Sequence, residues 1–326
     1  FFTIHTGRTP SKTGSTGAGL CLEGGVSTTV TVEPSERMEL KIFANGSPLN
    51  SPTCVSLFRH LTSGEAPITA VAKQESIFPV NYGYGLSAAS ALSLGLALNR
   101  AMGLGLTRDQ VGVHAHMAEV ENMTGLGDVS AELAGGLELR DRPGAPGFGR
   151  AVRLEAGEGM AVISSPVRPF PTQTMITEKG YVERINRYGR EALAAFSSKM
   201  NLEDLMLISR HFWDSIGLMN DEMIDVVRQF ERAGIPSPSA KKGLVFGLVP
   251  VDDIQRVIAA IIDPMKPVVE DLPTKLLDSR SGRILTRQRA LSEELLRAHP
   301  FEELERQPPK LPDARQPNER AAIRND

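Results

Sequence analysis

An almost wholly apolar, Ala- and Leu-rich run ends at Leu98 and follows the segment Asn81-Tyr-Gly-Tyr-Gly-Leu-Ser87. A helix apolar on nearly all sides is a buried one, so the pattern predicts a central core helix entered through a glycine loop. Other segments carry shorter periods. Residues 36–43 alternate as a half-buried strand, 12–32 read as a small, polar, Gly-rich loop followed by a β-branched strand pair, and 66–77 as a strand leading into the loop that opens at Asn81. Residues 51–62 predict a short helix. Thr107-Arg-Asp-Gln110 reads as a capping box opening a helix over about 108–122. Asp128 is placed to cap a short helix, Val129 to Ala134, that stops at Gly135-Gly136, before a strand from 137. Beyond residue 151 the pattern predicts a strand at 160–165, helices over about 174–200, 202–216 and 219–233, a Gly/Pro loop running into a strand, and a helix over 251–260.

This mixture predicts an α+β protein divided into residues 1–150, 151–273 and a polar tail, 274–326. In the tail an amphipathic helix near 285–298 precedes a charged, Pro-rich end expected to be disordered. The 326 residues, 41% hydrophobic and 23% charged, have room for two globular domains. A net charge of −3 gives no electrostatic case for nucleic acid or an anionic membrane. Two cysteines make neither a disulfide framework nor a zinc pattern and suit a reducing cytoplasm. No apolar run reaches the roughly 18 residues of a membrane span. The chain opens Phe1-Phe2 without Met, so a first strand is expected upstream.

Three readings compete for the glycine loop. It is a tight turn before a core helix; or a dinucleotide fingerprint, since Gly83-x-Gly85-x-x-Ala88 fits G-x-G-x-x-A; or a phosphate loop. The fingerprint needs a second strand ending in Asp or Glu about 20 residues on. Gly103 to Gln110 reads there as a loop and a helix start. A phosphate loop draws on the free N–H groups and positive dipole end of the following helix. No Walker sequence occurs in the chain.

Pro79, Gly83, Gly85, Ser87, Ala88 and Ala89 resemble the phosphate loop of the GHMP kinases, with departures at Tyr84 and Leu86. Gly14-Ser-Thr-Gly-Ala-Gly-Leu-Cys-Leu and Ala118-Glu-Val-Glu-Asn-Met-Thr-Gly-Leu-Gly-Asp-Val extend the likeness over most of residues 1–270. Within the superfamily these pieces are most similar to the archaeal pantoate kinases. The third GHMP motif is poorly matched by Gly234 to Gly243, and the tail has no counterpart. The resemblance implies a GHMP kinase fold, with an N-terminal domain like ribosomal protein S5 domain 2 and a ferredoxin-like C-terminal domain, the active site lying between them. It implies ATP and Mg2+ as cofactors and pantoate as the acceptor, and leaves room for a homodimer. Other GHMP kinases, of mevalonate or homoserine type, and a non-catalytic ligand-binding protein of this fold remain as alternatives.

Phosphoryl transfer needs a phosphate cradle, a magnesium ion and a group that orients or deprotonates the acceptor hydroxyl. The resemblance puts Pro79, Asn81, Gly83, Tyr84, Gly85, Leu86, Ser87 and Ala88 around ATP. It makes Ser87 and Glu119 the metal ligands, with Glu121 in reserve, and Asp128 the catalytic base. Ser15 and His116 match substrate-binding positions. Arg140 offers the planar fork that a carboxylate prefers. The plain alternatives are a helix cap for Ser87 and Asp128, a solvated charge for Glu119, a structural histidine for His116 and a surface arginine for Arg140.

Overall fold

Residues 1–22, 24–155, 159–262, 275–278 and 284–286 are described by a computed structural model of the chain. Strands β1 (Phe2–His5), β2 (Gly14–Leu20), β3 (Ser27–Pro34), β4 (Glu39–Ala44) and β5 (Ser47–Pro48) come first. Helix α1 (Pro52–Leu61), strand β6 (Ile68–Glu75) and helices α2 (Leu86–Met102), α3 (Arg108–Glu121) and α4 (Asp128–Ala134) follow. Strands β7 (Leu137–Arg142), β8 (Arg150–Leu154) and β9 (Met160–Pro166) precede α5 (Thr172–Thr177), α6 (Lys179–Ser197), α7 (Leu202–Ser215) and α8 (Asp221–Arg232). Strands β10 (Ser239–Lys241) and β11 (Leu244–Pro250), helix α9 (Ile254–Ile262), and strands β12 (Lys275–Asp278) and β13 (Ile284–Thr286) complete the described chain.

The described residues form three sheets. The order β1-β2-β7-β8 is antiparallel throughout. The order β3-β6-β4-β5 contains one parallel pair, β4 with β6. The third sheet, β10-β11-β9-β12-β13, is antiparallel, with α5 to α8 inserted between β9 and β10, and α9 between β11 and β12. Strands β12 and β13 carry this sheet past the boundary expected at 273. Apart from residues 275–278 and 284–286, the expected tail helix and disordered end lie outside the described residues.

Helix α2 is the core helix that its composition predicts. Ala88, Ala91, Leu94 and Leu98 are buried against Leu57 and Phe58 of α1, Ala115 and Ala118 of α3, and Ala70 and Ala72 of β6. The first sheet packs its other apolar side chains, Leu137 and Leu139, into a second core with Phe196, Phe212 and Trp213 of α6 and α7. A third cluster, Phe78 with Val162, Met206 and Leu248, ties the approach to the glycine loop onto the third sheet. The loop therefore touches both halves of the molecule.

Residues 14–19, expected as a polar glycine loop, are instead the buried strand β2, between β1 and β7. Close approach explains the composition. Gly17 has φ +149°, and a Cβ there would lie 2.3 Å from the Phe1 carbonyl oxygen. The capping box of α3 forms as the sequence predicts, with Thr107 and Gln110 each bonding the other's backbone N–H.

Candidate active site

A cavity of about 940 Å³ opens where the glycine loop, β2, β7, α4 and the β10–β11 hairpin meet. Gly83 is left-handed, at φ +112°, and a Cβ on it would stand 2.3 Å from the Lys241 carbonyl oxygen. Only glycine lets the loop pass this close to the hairpin. Gly83, Tyr84, Gly85 and Leu86 line the cavity. Tyr84, a departure from the phosphate-loop pattern, stacks on Phe78 with centroids 4.6 Å apart and shares a 2.9 Å hydrogen bond with the Ser164 hydroxyl. Pro79 and Asn81 shape the approach, the Asn81 carbonyl accepting from the Phe170 N–H at 2.8 Å. Ala88 is buried beneath the loop, its N–H bonded to the Gly85 carbonyl.

Ser87 is not the helix cap. Gly85 holds the N-cap position with φ +82°, which leaves the Ser87 hydroxyl free to donate to Glu119 Oε1 at 2.6 Å. Glu119 is 1% exposed and also accepts from Thr124 at 3.2 Å, while its Oε2 has no partner among the described residues. Burial, then the negative Asp128, pushes this carboxyl up to about 7 against the opposing pull of Ser87, Lys242 and Thr124. A buried carboxylate oxygen without a partner beside a hydroxyl is a donor set that a hard cation satisfies. Among the described residues no three His, Cys, Asp or Glu side chains converge as a protein-only metal cage. That fits Mg2+, which is held through one or two protein oxygens, waters and phosphates. Glu121 faces away and pairs with His60 at 3.1 Å.

Asp128 is not the cap of α4 either. Gly127 takes that position, and the carboxylate meets Lys241 Nζ at 3.3 Å. Burial pushes the Asp128 carboxyl up, but Lys241, Lys242 and Arg140 together outweigh burial and hold it well below the ordinary carboxylate range. Ser15 and Arg140 reach the same end of the cavity. A Cβ on Gly127 would lie 2.2 Å from Ser15 Oγ and 2.8 Å from Arg140 Nε, so the glycine makes room for both. Arg140 Nη1 donates to Glu138, which is fully buried.

His116 does not join this group. Its ring Nε2–H donates to the Thr13 carbonyl at 2.8 Å, and the side chain, 1% exposed, lies away from the cavity lining. It pins the turn before β2. The cavity adds charges that sequence reasoning missed: Glu132, Glu138, Arg153, Lys241 and Lys242. Glu132 is raised well above the usual range by burial and by Asp128 and Glu119. The signal for the lysines was their pairing inside the Gly/Pro loop after Gly234. For Glu138 it was the two-residue spacing to Arg140, which puts both on one face of a strand.

Comparison with known proteins places this geometry. Residues 53–136 match the family described as GHMP kinases N terminal domain. A pantoate kinase of Thermococcus kodakarensis is 30% identical over 268 residues, covering 79% of this chain and 87% of that protein. A pantoate kinase of Methanospirillum hungatei is 29% identical over 249 residues, covering 73% and 80%. A solved phosphotransferase related to the CoA biosynthesis pathway superposes with a TM-score of 0.74 at 27% identity, over 85% of this chain and 90% of its own.

Proposed function

The chain belongs to the GHMP kinases, in the group of the pantoate kinases, and on that premise we propose that it transfers the γ-phosphoryl group of ATP to the 4-hydroxyl of pantoate in the cytoplasm. The observation that carries the reading is the unpartnered, buried Glu119 oxygen beside the Ser87 hydroxyl, at the end of α2 that the glycine loop opens. Backbone N–H groups of the loop and the positive end of α2 receive the phosphates. Ser87 and Glu119 would hold Mg2+, which when bound supplies neutralisation of phosphate charge.

Asp128 accepts a hydrogen bond from the acceptor hydroxyl and orients it toward phosphorus. Lys241 keeps this carboxylate ionised. Drawn to the transferring phosphoryl group, the ammonium would release Asp128 to take the hydroxyl proton as the new O–P bond forms and the bond to ADP breaks. Arg140 holds the acceptor's carboxylate, and the Ser15 hydroxyl stands beside it. Catalysis in such a site is mostly positioning and charge neutralisation.

ADP release measured with pantoate, mevalonate and homoserine tests the reading. Pantoate has the highest kcat/KM. Turnover of pantoate no faster than of the other two overturns the assignment, and absence of ADP release with all three leaves a binding protein.

A further inference from the structure

Glu138 and Arg140 stand two residues apart on β7 and share one face of the strand. Opposite them on β2 are Gly19 and Gly17, so β2 covers the pair with no side chain, while β8 on the other edge sets Arg153 opposite Glu138 and Ala151 opposite Arg140. Arg140 Nη1 donates to Glu138 Oε1. Among the described residues, Glu138 Oε2 and Arg140 Nε are both buried without a hydrogen-bond partner. Both residues belong to the cavity wall, beside Ser15, Gly127 and Asp128. Buried polar atoms are rarely left unpaired. Here an orphaned acceptor and an orphaned donor belong to a hydrogen-bonded pair in the wall of that cavity.

Resting on the proposed kinase reading, we propose that this pair is a recognition element for an α-hydroxy carboxylate, Arg140 donating to the carboxylate and Glu138 Oε2 accepting from the hydroxyl on the adjacent carbon. The two groups of such a ligand sit on neighbouring carbons, as the two orphaned atoms sit on neighbouring side chains. Pantoate carries this arrangement at its C1–C2 end, with the hydroxyl that is phosphorylated two carbons further on, at C4. A 2-oxo acid of the same skeleton has no proton to donate and sets a carbonyl oxygen against a carboxylate oxygen. A 2-deoxy acid leaves Oε2 unpaired. A 3-hydroxy acid places its hydroxyl one carbon too far. Glu138 thereby selects the oxidation state at C2, a choice that neither the phosphate loop nor Asp128 can make. A site that hydrogen-bonds a substrate hydroxyl rejects the analogue lacking it, because its own buried groups are then unpaired.

The test is steady-state kinetics of the full chain with pantoate, its 2-oxo analogue and its 2-deoxy analogue, for wild type and Glu138→Gln. Wild type should turn over both analogues with kcat/KM lower by about 10- to 150-fold, the range for a hydrogen bond to a charged group. In Glu138→Gln the amide N–H can donate to the 2-oxo group, so the preference for pantoate over the 2-oxo acid should shrink about 10-fold or more, with the KM for ATP little changed. If the variant fails to fold, the wild-type comparison of the three acids still decides. Equal kcat/KM for the three acids means that water satisfies Oε2 and overturns the proposal. An unchanged pantoate/2-oxo ratio in a folded Glu138→Gln overturns it too. Failure of wild type to phosphorylate pantoate at all overturns the kinase reading itself, a separate outcome.

Discussion

Replacing Arg140 by alanine is expected to damage stability and substrate binding through one cause. Glu138 is 0% exposed and the Arg140 side chain 9% exposed, so the two form a buried ion pair. Removing one member of such a pair strands the other charge and costs about 3–5 kcal/mol. Burial already holds the Glu138 carboxyl above its usual range, and Arg140 is the main opposing pull. Without Arg140 the carboxyl rises further. A carboxyl whose folded pKa lies above its unfolded one contributes stability at low pH and loses it as pH rises from the unfolded value through the folded one. Arg140→Ala should therefore be most stable in mild acid and weaken steadily toward neutral and alkaline pH. The double variant Glu138→Gln/Arg140→Ala carries no stranded charge, so it should recover most of the loss and flatten the pH dependence. Urea denaturation of wild type, both single variants and the double variant, from mild acid to mild alkali, gives the coupling energy directly. Additive losses, with no pH dependence specific to Arg140→Ala, would refute the account. In kinetics, Arg140→Ala should raise the KM for pantoate about 10- to 150-fold and that for ATP much less, and Arg140→Lys should recover only part of it because an ammonium lacks the planar fork.

Asp128→Asn should keep nucleotide binding and lower turnover by about 10²-fold or more; rates within a few-fold of wild type would remove Asp128 from the reaction. Glu119→Gln should raise the magnesium concentration giving half activity, since an amide is a poorer ligand for a hard cation, whereas Glu121→Gln should leave the magnesium titration unchanged. Gly83→Ala should raise the KM for ATP well above its effect on pantoate, because the new Cβ meets the Lys241 carbonyl 2.3 Å away at a positive φ; unaltered nucleotide affinity would show that the loop relaxes freely. His116→Ala should lower the melting temperature and change the pantoate KM by no more than a few-fold, since the ring serves the Thr13 carbonyl; a KM shift as large as that of Arg140→Ala would return His116 to the substrate site.

Local pattern alone determined a good deal of this protein. The core helix α2 and the capping box at Thr107 were legible because each depends on residues a few positions apart. The glycine loop with Ser87, Glu119 and Asp128 was legible as a family resemblance, and the structure brings Ser87 and Glu119 to 2.6 Å. What sequence could not decide are the choices that depend on distant backbone. Residues 14–19 look like a loop by composition. They are a buried strand because β1, β7 and the Phe1 carbonyl crowd them, and glycine is what fits. Ser87 and Asp128 read as helix caps until the neighbouring glycines take those positions and turn both side chains toward tertiary partners.

The site's charge balance was likewise hidden. Lys241 lies 113 residues from Asp128, and only the fold of the third sheet against the glycine loop brings them to 3.3 Å. Glu138 is an unremarked strand residue in sequence, and its burial beside Arg140 depends on bare glycines in a strand more than a hundred residues earlier. His116 and Glu119 share a helix face by spacing, yet one bonds the Thr13 carbonyl and the other the Ser87 hydroxyl. Periodicity reports which face a residue occupies. Only the packed structure decides what lies opposite that face, and so which side chain is chemistry and which is support.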